Sequence, residues 1–236
     1  MSDFKAELQK ALSALDMVAD DEEIAQCCKY YEILIAENQK MNLTAITKPQ
    51  DVAIKHFVDS LYILKYVDLP QGSTLVDIGT GAGFPGLPLK IFRQDLNITL
   101  LDSLEKRCKF LESVITELSL KDINVVWARA EDAGRMENMR EHFDYATARA
   151  VASLPVLMEY ALPLLKIGGE FLPLKGKEEG ISCENALTLL NGEIVAQCSY
   201  LLPIIEEDRI IYRIKKTAAT AEKYPRRSGK VTKKPL

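Results

Sequence analysis

Histidine is scarce in this chain of 236 residues: only His56 and His142 occur, and neither has a partner at metal-ligand spacing. A histidine-built metal centre and a Cys-His nucleophile both lose their basis, so no metal is expected. The five cysteines (Cys27, Cys28, Cys108, Cys183, Cys198) are odd in number and form no C-x-x-C pair, which excludes a regular disulfide framework. Free thiols in a reducing cytoplasm fit that pattern. No run of eighteen apolar residues exists, so no membrane span is expected. Met1-Ser2-Asp3-Phe4-Lys5-Ala6-Glu7 has neither the basic nor the apolar stretch of a secretory leader. There is also no internal repeat. What the chain does have is 47% hydrophobic residues, enough at this length to bury a full α/β core.

Apolar groups recur at helical spacing over residues 3–17 (Phe4, Leu8, Leu12, Leu15) and 21–38 (Ile24, Cys28, Tyr31, Ile35), predicting two amphipathic helices. A polar turn from Asn38 to Thr44 leads to a third helix over Pro49 to Tyr66, containing His56, Asp59 and Ser60. From Ser73 to about Leu174 short apolar runs alternate with helical patterns, the signature of right-handed βαβ units and a mostly parallel sheet. Two further strands, Ile194 to Leu202 and Arg209 to Lys215, predict an antiparallel edge hairpin. The expected organisation is one α/β domain: a helical extension at 1–66, a core at 67–216 and a tail at 217–236.

The most informative segment is Val76-Asp77-Ile78-Gly79-Thr80-Gly81-Ala82-Gly83-Phe84-Pro85-Gly86, a glycine turn entered from a strand and left into a helix. Such a turn brings bare backbone and free helical N–H groups close to a nucleotide-like ligand. Read as Gly81-x-Gly83-x-x-Gly86 it matches the dinucleotide fingerprint. Read as Asp77-x-Gly79-x-Gly81-x-Gly83 it looks like the first motif of class I S-adenosylmethionine methyltransferases. A tight turn without a ligand is the third reading. Asp102 ends the next apolar run, Ile98-Thr99-Leu100-Leu101, and a carboxylate there can accept two hydrogen bonds from a ribose diol. Asp102 also suits a helix N-cap, and the two roles are compatible.

A third strand, Ile123 to Trp127, leads into Ala128-Arg129-Ala130-Glu131-Asp132, the turn that covers the adenine in the methyltransferase pattern. A fourth, Phe143 to Ala148, ends at Arg149 and aims it into the crevice beyond the strands' carboxyl ends. Charge is uneven as well. Arg213 to Leu236 holds nine Lys or Arg and one acid, in a chain whose net charge is −4. Lys223, Arg226, Arg227, Lys230, Lys233 and Lys234 could meet several phosphates, with steep salt dependence; a solvated terminus is the plainer reading.

These residues together resemble the RsmG (GidB) family of bacterial ribosomal RNA small subunit methyltransferases. The resemblance covers nearly the whole chain and rests on Met41-Asn42-Leu43-Thr44-Ala45-Ile46, His56-Phe57-Val58-Asp59-Ser60-Leu61, Asp77 to Pro88, Leu100 to Arg107 with Phe110-Leu111, Arg149-Ala150-Val151-Ala152, Pro173-Leu174-Lys175-Gly176 and Tyr224-Pro225-Arg226-Arg227. One departure is Ser228-Gly229-Lys230-Val231-Thr232, where many relatives read Gly-Thr-Pro. The resemblance implies a Rossmann-like, class I fold with a mostly parallel twisted sheet, an antiparallel edge and preceding N-terminal helices. It implies transfer of a methyl group from S-adenosylmethionine to N7 of a guanine in the 530 loop of 16S RNA, within the 30S subunit or an assembly intermediate. Cofactor contacts follow at Gly79, Phe84, Ala130, Glu131 and Arg149, with Asp102 added by the ribose argument.

The same resemblance sets Asn42, His56, Arg149, Lys175 and Arg226 along the RNA-facing side, the first four as candidate catalytic groups. Lys175, Arg226, Arg227 and Lys230 are the expected RNA contacts. Each has a plainer role: Asn42 can cap a turn, His56 can pack, Lys175 can end a strand. N7 carries an exposed lone pair, so transfer needs in-line alignment and no general base. Accordingly there is no Pro-Cys nucleophile of the cytosine-C5 type and no Asp/Asn-Pro-Pro-aromatic motif of the adenine-N6 type. A methyltransferase for another RNA or a small molecule, a dinucleotide oxidoreductase and a non-catalytic RNA-binding module are the alternatives.

Overall fold

The computed structural model describes residues 2–149, 152–176 and 182–236; Ala150 and Val151 of the Arg149 motif lie outside the described residues. Helix α1 (Ser2–Ala14) ends three residues before the expected boundary; it buries Phe4, Leu8 and Leu12, as their spacing predicts, together with Ala11, and Leu15 is buried just past its end. Helix α2 (Asp21–Met41) starts at a capping box: the Glu23 backbone N–H donates to Asp20 Oδ1 at 2.8 Å, and the Asp20 backbone N–H donates to Glu23 Oε2 at 2.8 Å. It ends at Asn42, whose φ of 50° is left-handed. The helix therefore runs three residues past the expected Asn38, and the polar turn is shorter.

The third helix departs from expectation in its middle. Helix α3 (Pro49–Val52) passes through a π-helical turn, Ala53–Val58, into α4 (Asp59–Tyr66). Beyond it come β1 (Thr74–Ile78), α5 (Gly86–Phe92), β2 (Asn97–Asp102), α6 (Glu105–Glu117), β3 (Ile123–Trp127), α7 (Ala130–Ala133), β4 (Phe143–Arg149), α8 (Leu154–Ala161), β5 (Leu165–Gly176), α9 (Glu184–Leu190), β6 (Gly192–Leu201), β7 (Asp208–Lys216) and α10 (Lys230–Lys233).

The seven strands form one sheet in the order β3-β2-β1-β4-β5-β7-β6. Pairing is parallel from β3 to β5 and antiparallel for β5/β7 and β7/β6. The central strands are buried on both faces (Leu75, Val76, Ile78, Leu100, Leu101), as parallel strands flanked by helices must be. One apolar cluster joins the N-terminal helices to β1, β2, α5 and α6. The other gathers α7, α8, α9 and the tail residues Tyr224 and Val231. Because β2 and β4 lie on opposite sides of β1, the strand order reverses there and opens a crevice at the carboxyl ends. Among the described residues no helix is long and apolar enough to cross a membrane, and no group of three or more His, Cys, Asp or Glu is placed to hold a metal.

Candidate active site

At the reversal point the glycine turn leaves β1 with Gly79 and Gly81 at φ of 65° and 62°, values that side chains rarely adopt. Both line a cavity of about 790 Å³. Gly83 and Gly86 do not face it. A Cβ on Gly83 would press on Leu87 and lie 2.7 Å from Tyr30 Oη, and one on Gly86 would press on Leu100 and lie 2.9 Å from Asp77 Oδ2. The later glycines thus serve close packing, and the dinucleotide spacing is not the one presented to the crevice.

Asp77 lies beneath the turn and is fully buried. Its Oδ2 accepts from Thr80 Oγ1 at 2.6 Å and from the Gly86 N–H at 2.8 Å, fastening both ends of the loop. Its Oδ1 is buried without a partner. Burial outweighs the two hydrogen bonds and pushes the carboxyl up to about 6.

Asp102 closes β2 and lines both the large cavity and an adjoining one of about 280 Å³. Its Oδ2 accepts from the Gly81 N–H at 2.9 Å and its Oδ1 from the Leu104 N–H at 2.9 Å. An ionised carboxylate has about four acceptor positions, so each oxygen keeps one for a ligand diol. The expected helix N-cap role is not seen: the N-cap of α6 is Leu104, without a side-chain cap, and Asp102 instead orders the turn that precedes it. Gly79 and Ser103 also border both cavities, which makes them two lobes of one crevice.

The larger lobe reaches toward the π-helical turn. The Arg149 guanidinium donates through Nη1 to the carbonyl of Lys55 at 2.7 Å and to Asp59 Oδ2 at 3.2 Å, and through Nη2 to His56 Nδ1 at 3.2 Å. Its carbon lies 5.2 Å from the centre of the Phe84 ring, and His56 stacks on that ring at 4.7 Å. Burial and the Arg149 charge lower the His56 pKa to about 3. A neutral imidazole that accepts at Nδ1 carries its proton on Nε2, which is 2.9 Å from Thr44 Oγ1. Phe84 packs in turn against Tyr30 and Phe57, and the Tyr30 hydroxyl donates to the Ala82 carbonyl. This aromatic column ties the N-terminal helices to the glycine turn.

Of the expected site residues, the larger lobe brings together Gly79, Phe84, Asp102, His56, Arg149 and Lys175. Lys175 is nearly buried, with Nζ donating to the Ala152 carbonyl at 2.7 Å. Ala130 and Glu131 border the smaller lobe, where Tyr160 Oη donates to Glu131 Oε1 at 3.3 Å. Two residues fall elsewhere. Asn42 is an exposed C-cap, while its neighbours Leu43 and Thr44 line the cavity. Arg226, expected on the RNA-facing side, is corrected to an internal role. Its backbone N–H and Nε donate to Glu159 Oε1 at 2.7 and 2.8 Å, and its Nη2 donates to Oε2 at 2.6 Å. Glu159 is fully buried on α8, so the pair is interior. Arg227 and Lys230 are exposed.

Sequence reasoning missed Lys55, Arg107 and Arg209, which add cations to the crevice wall. Among the described residues, five Lys or Arg (Lys55, Arg107, Arg149, Lys175, Arg209) and two acids (Asp59, Asp102) line the larger lobe. Asp59 sits inside a quoted motif, yet its role is visible only here: it accepts from Arg149 and, at 2.9 Å, from Tyr200 Oη.

Strand order, glycine turn and the acid closing β2 define the Rossmann-like methyltransferase fold. A solved SAM-dependent methyltransferase from Aquifex aeolicus superposes with a TM-score of 0.53 at 15% identity, covering 77% of this chain and 98% of that one. The cyclase SpnF superposes at 0.57 with 14% identity, covering 86% of this chain and 98% of that one, so the fold does not settle the reaction. Sequence narrows the class. Residues 23–202 match the GidB family, described as rRNA small subunit methyltransferase G, and the chain belongs to that family. It is 47% identical over 232 residues to the ribosomal RNA small subunit methyltransferase G of Alkaliphilus metalliredigens, across 97% of each chain.

Proposed function

We propose that this protein transfers a methyl group from S-adenosylmethionine to N7 of a guanine in the 530 loop of 16S ribosomal RNA. The observation that carries the cofactor half is Asp102, set where the two lobes meet with both oxygens oriented by backbone and one acceptor position left on each. S-adenosylmethionine, when bound, supplies an electrophilic methyl on a sulfonium. Gly79, Phe84 and Arg149 would hold it in the larger lobe, Asp102 would accept from its ribose hydroxyls, and Ala130 and Glu131 would flank its adenine. Family membership supports the RNA half, as does the excess of cations over acids along the larger lobe.

The chain's residues position the reactants. A pKa lowered to about 3 makes the His56 imidazole a poor proton acceptor and Arg149 spends its donors on the π-helical turn, so neither serves as a general base. That is the arrangement N7 requires, since its lone pair is already free. Methylation would move a positive charge from the sulfonium to the guanine, so the net charge held in the crevice does not change on transfer. Lys175 and Arg107 would meet O6 or a flanking phosphate, the groups that lysine and arginine recognise well. A substrate within the 30S subunit or its precursor puts the reaction in the cytoplasm.

Mass spectrometry of 16S fragments from cells lacking the protein tests the proposal. Loss of 7-methylguanosine from the 530 loop, restored by the wild-type chain with 30S subunits and cofactor, is the expected result. Undiminished modification overturns it.

A further inference from the structure

The smaller lobe has a wall that the strand ends do not supply. Beside Ala128, Ala130 and Glu131 it is lined by Ser228, Gly229 and Thr232 of the C-terminal segment. We propose that this segment is part of the cofactor site: Ser228, Gly229 and Thr232 form the adenine side of the pocket, and the Arg226–Glu159 pair holds them there. The proposal rests on the reading that the crevice takes S-adenosylmethionine.

The anchoring is what a built wall needs and a loose basic arm lacks. Arg140 donates to the Tyr224 and Thr220 carbonyls at 2.9 and 2.6 Å, and Arg135 donates to the Pro225 carbonyl at 2.5 Å. Pro225 packs so tightly on α7 that a Cβ at Gly134 would come within 2.8 Å of its Cγ. Tyr224 and Val231 are buried in the second core and Leu236 packs against it, so core contacts precede, interrupt and follow the lobe-lining residues in sequence. Arg226 makes three hydrogen bonds shorter than 3 Å to a carboxylate with no exposure. Charge pairs this deep hold geometry more than they add stability.

The segment is thus fixed before Ser228, at Val231 and at Leu236, which holds Ser228, Gly229 and Thr232 against the lobe. The lobe combines apolar walls (Ile78, Leu101, Ala128) with hydroxyl and carboxylate groups. That chemistry suits a flat heteroaromatic base with a polar edge. Outer cations of the same segment, Arg227, Lys230, Lys233 and Lys234, stay exposed and free to meet phosphate. One short stretch therefore combines the proposed cofactor contacts with exposed positive charge.

Calorimetric titration of the full chain with S-adenosylhomocysteine and with adenosine decides the matter, alongside a chain truncated after Arg227 and the double variant Ser228→Ala, Thr232→Val. We expect the truncated chain to bind both ligands at least tenfold more weakly, and the double variant at least threefold more weakly. Affinities within twofold of wild type in the double variant overturn the proposal, whatever the truncated chain does. That variant keeps Val231 and every anchor, so its fold is retained, and a cooperative thermal melt confirms this. A wild-type chain that binds neither ligand instead overturns the underlying cofactor reading.

Discussion

His56 shows what a single environment does to a side chain's chemistry. Its folded pKa of about 3 lies below the ordinary 6.5 because burial and the Arg149 guanidinium both oppose the imidazolium. The unfolded chain takes up a proton near pH 6.5 that the folded protein refuses, so the residue's contribution is complete above about pH 6.5 and declines toward pH 3. Asp77, raised to about 6, has the opposite slope, gaining stability as pH falls. Comparing wild type with His56→Gln cancels the Asp77 part: the variant's melting temperature should fall less steeply between about pH 6.5 and 4.5. In the same way kcat for methyl transfer should vary less than about twofold from pH 6.5 to 8.5, and a rise with an apparent pKa near 6.5 would mark His56 as a base. Arg149 acts through geometry, since its planar fork serves a carbonyl, a carboxylate and an imidazole at once. Arg149→Ala and Arg149→Lys should both lower single-turnover methylation of 30S subunits by about 100-fold while melting cooperatively, because Asp59 keeps Tyr200 and Arg209 nearby.

Among the elements, the π-helical turn is the one that apolar periodicity concealed. The spacing of Val52, Ile54, Phe57, Val58 and Leu61 suits an unbroken helix from Pro49 to Tyr66. The wide turn instead leaves the Lys55 carbonyl for Arg149, ninety-four positions away in sequence. The α8–tail junction was equally hidden, since Glu159 and Arg226 are each ordinary surface residue types. Arg226→Leu strands a buried carboxylate and should cost about 3–5 kcal/mol by urea denaturation. Arg227→Leu, at an exposed position, should stay within about 0.5 kcal/mol of wild type. A similar cost for both would show that the ion pair is not formed in solution.

On the scale of the whole molecule, the basic C-terminal region divides into inner and outer charges. Arg213 pairs with Glu170, Lys216 with Glu141 and Arg226 with Glu159, so three of its nine cations are already engaged by acids of this chain. Replacing the exposed Arg227, Lys230, Lys233 and Lys234 with Gln should weaken binding to a 530-loop RNA and flatten the plot of log affinity against log salt by about 3, four phosphate contacts at ~0.7 each. An unchanged slope would move the RNA footprint to the crevice wall of Lys55, Arg107 and Arg209.

Local pattern determined a great deal: the alternating elements, the glycine turn, Asp102 at the end of β2 and the antiparallel edge hairpin all follow from spacing between near neighbours in the chain. Periodicity and turn chemistry are local, so they are written in local sequence. Tertiary structure alone decided which glycines face the crevice, why Arg149 is occupied, and that Arg226 faces inward. Each of those depends on a partner between sixty-seven and ninety-four positions away for the two arginines, or on how tightly α2 and β2 close over the turn. Such contacts carry no periodic signal, because an arginine at the surface and one paired in the interior are the same residue until folding brings the carboxylate to it.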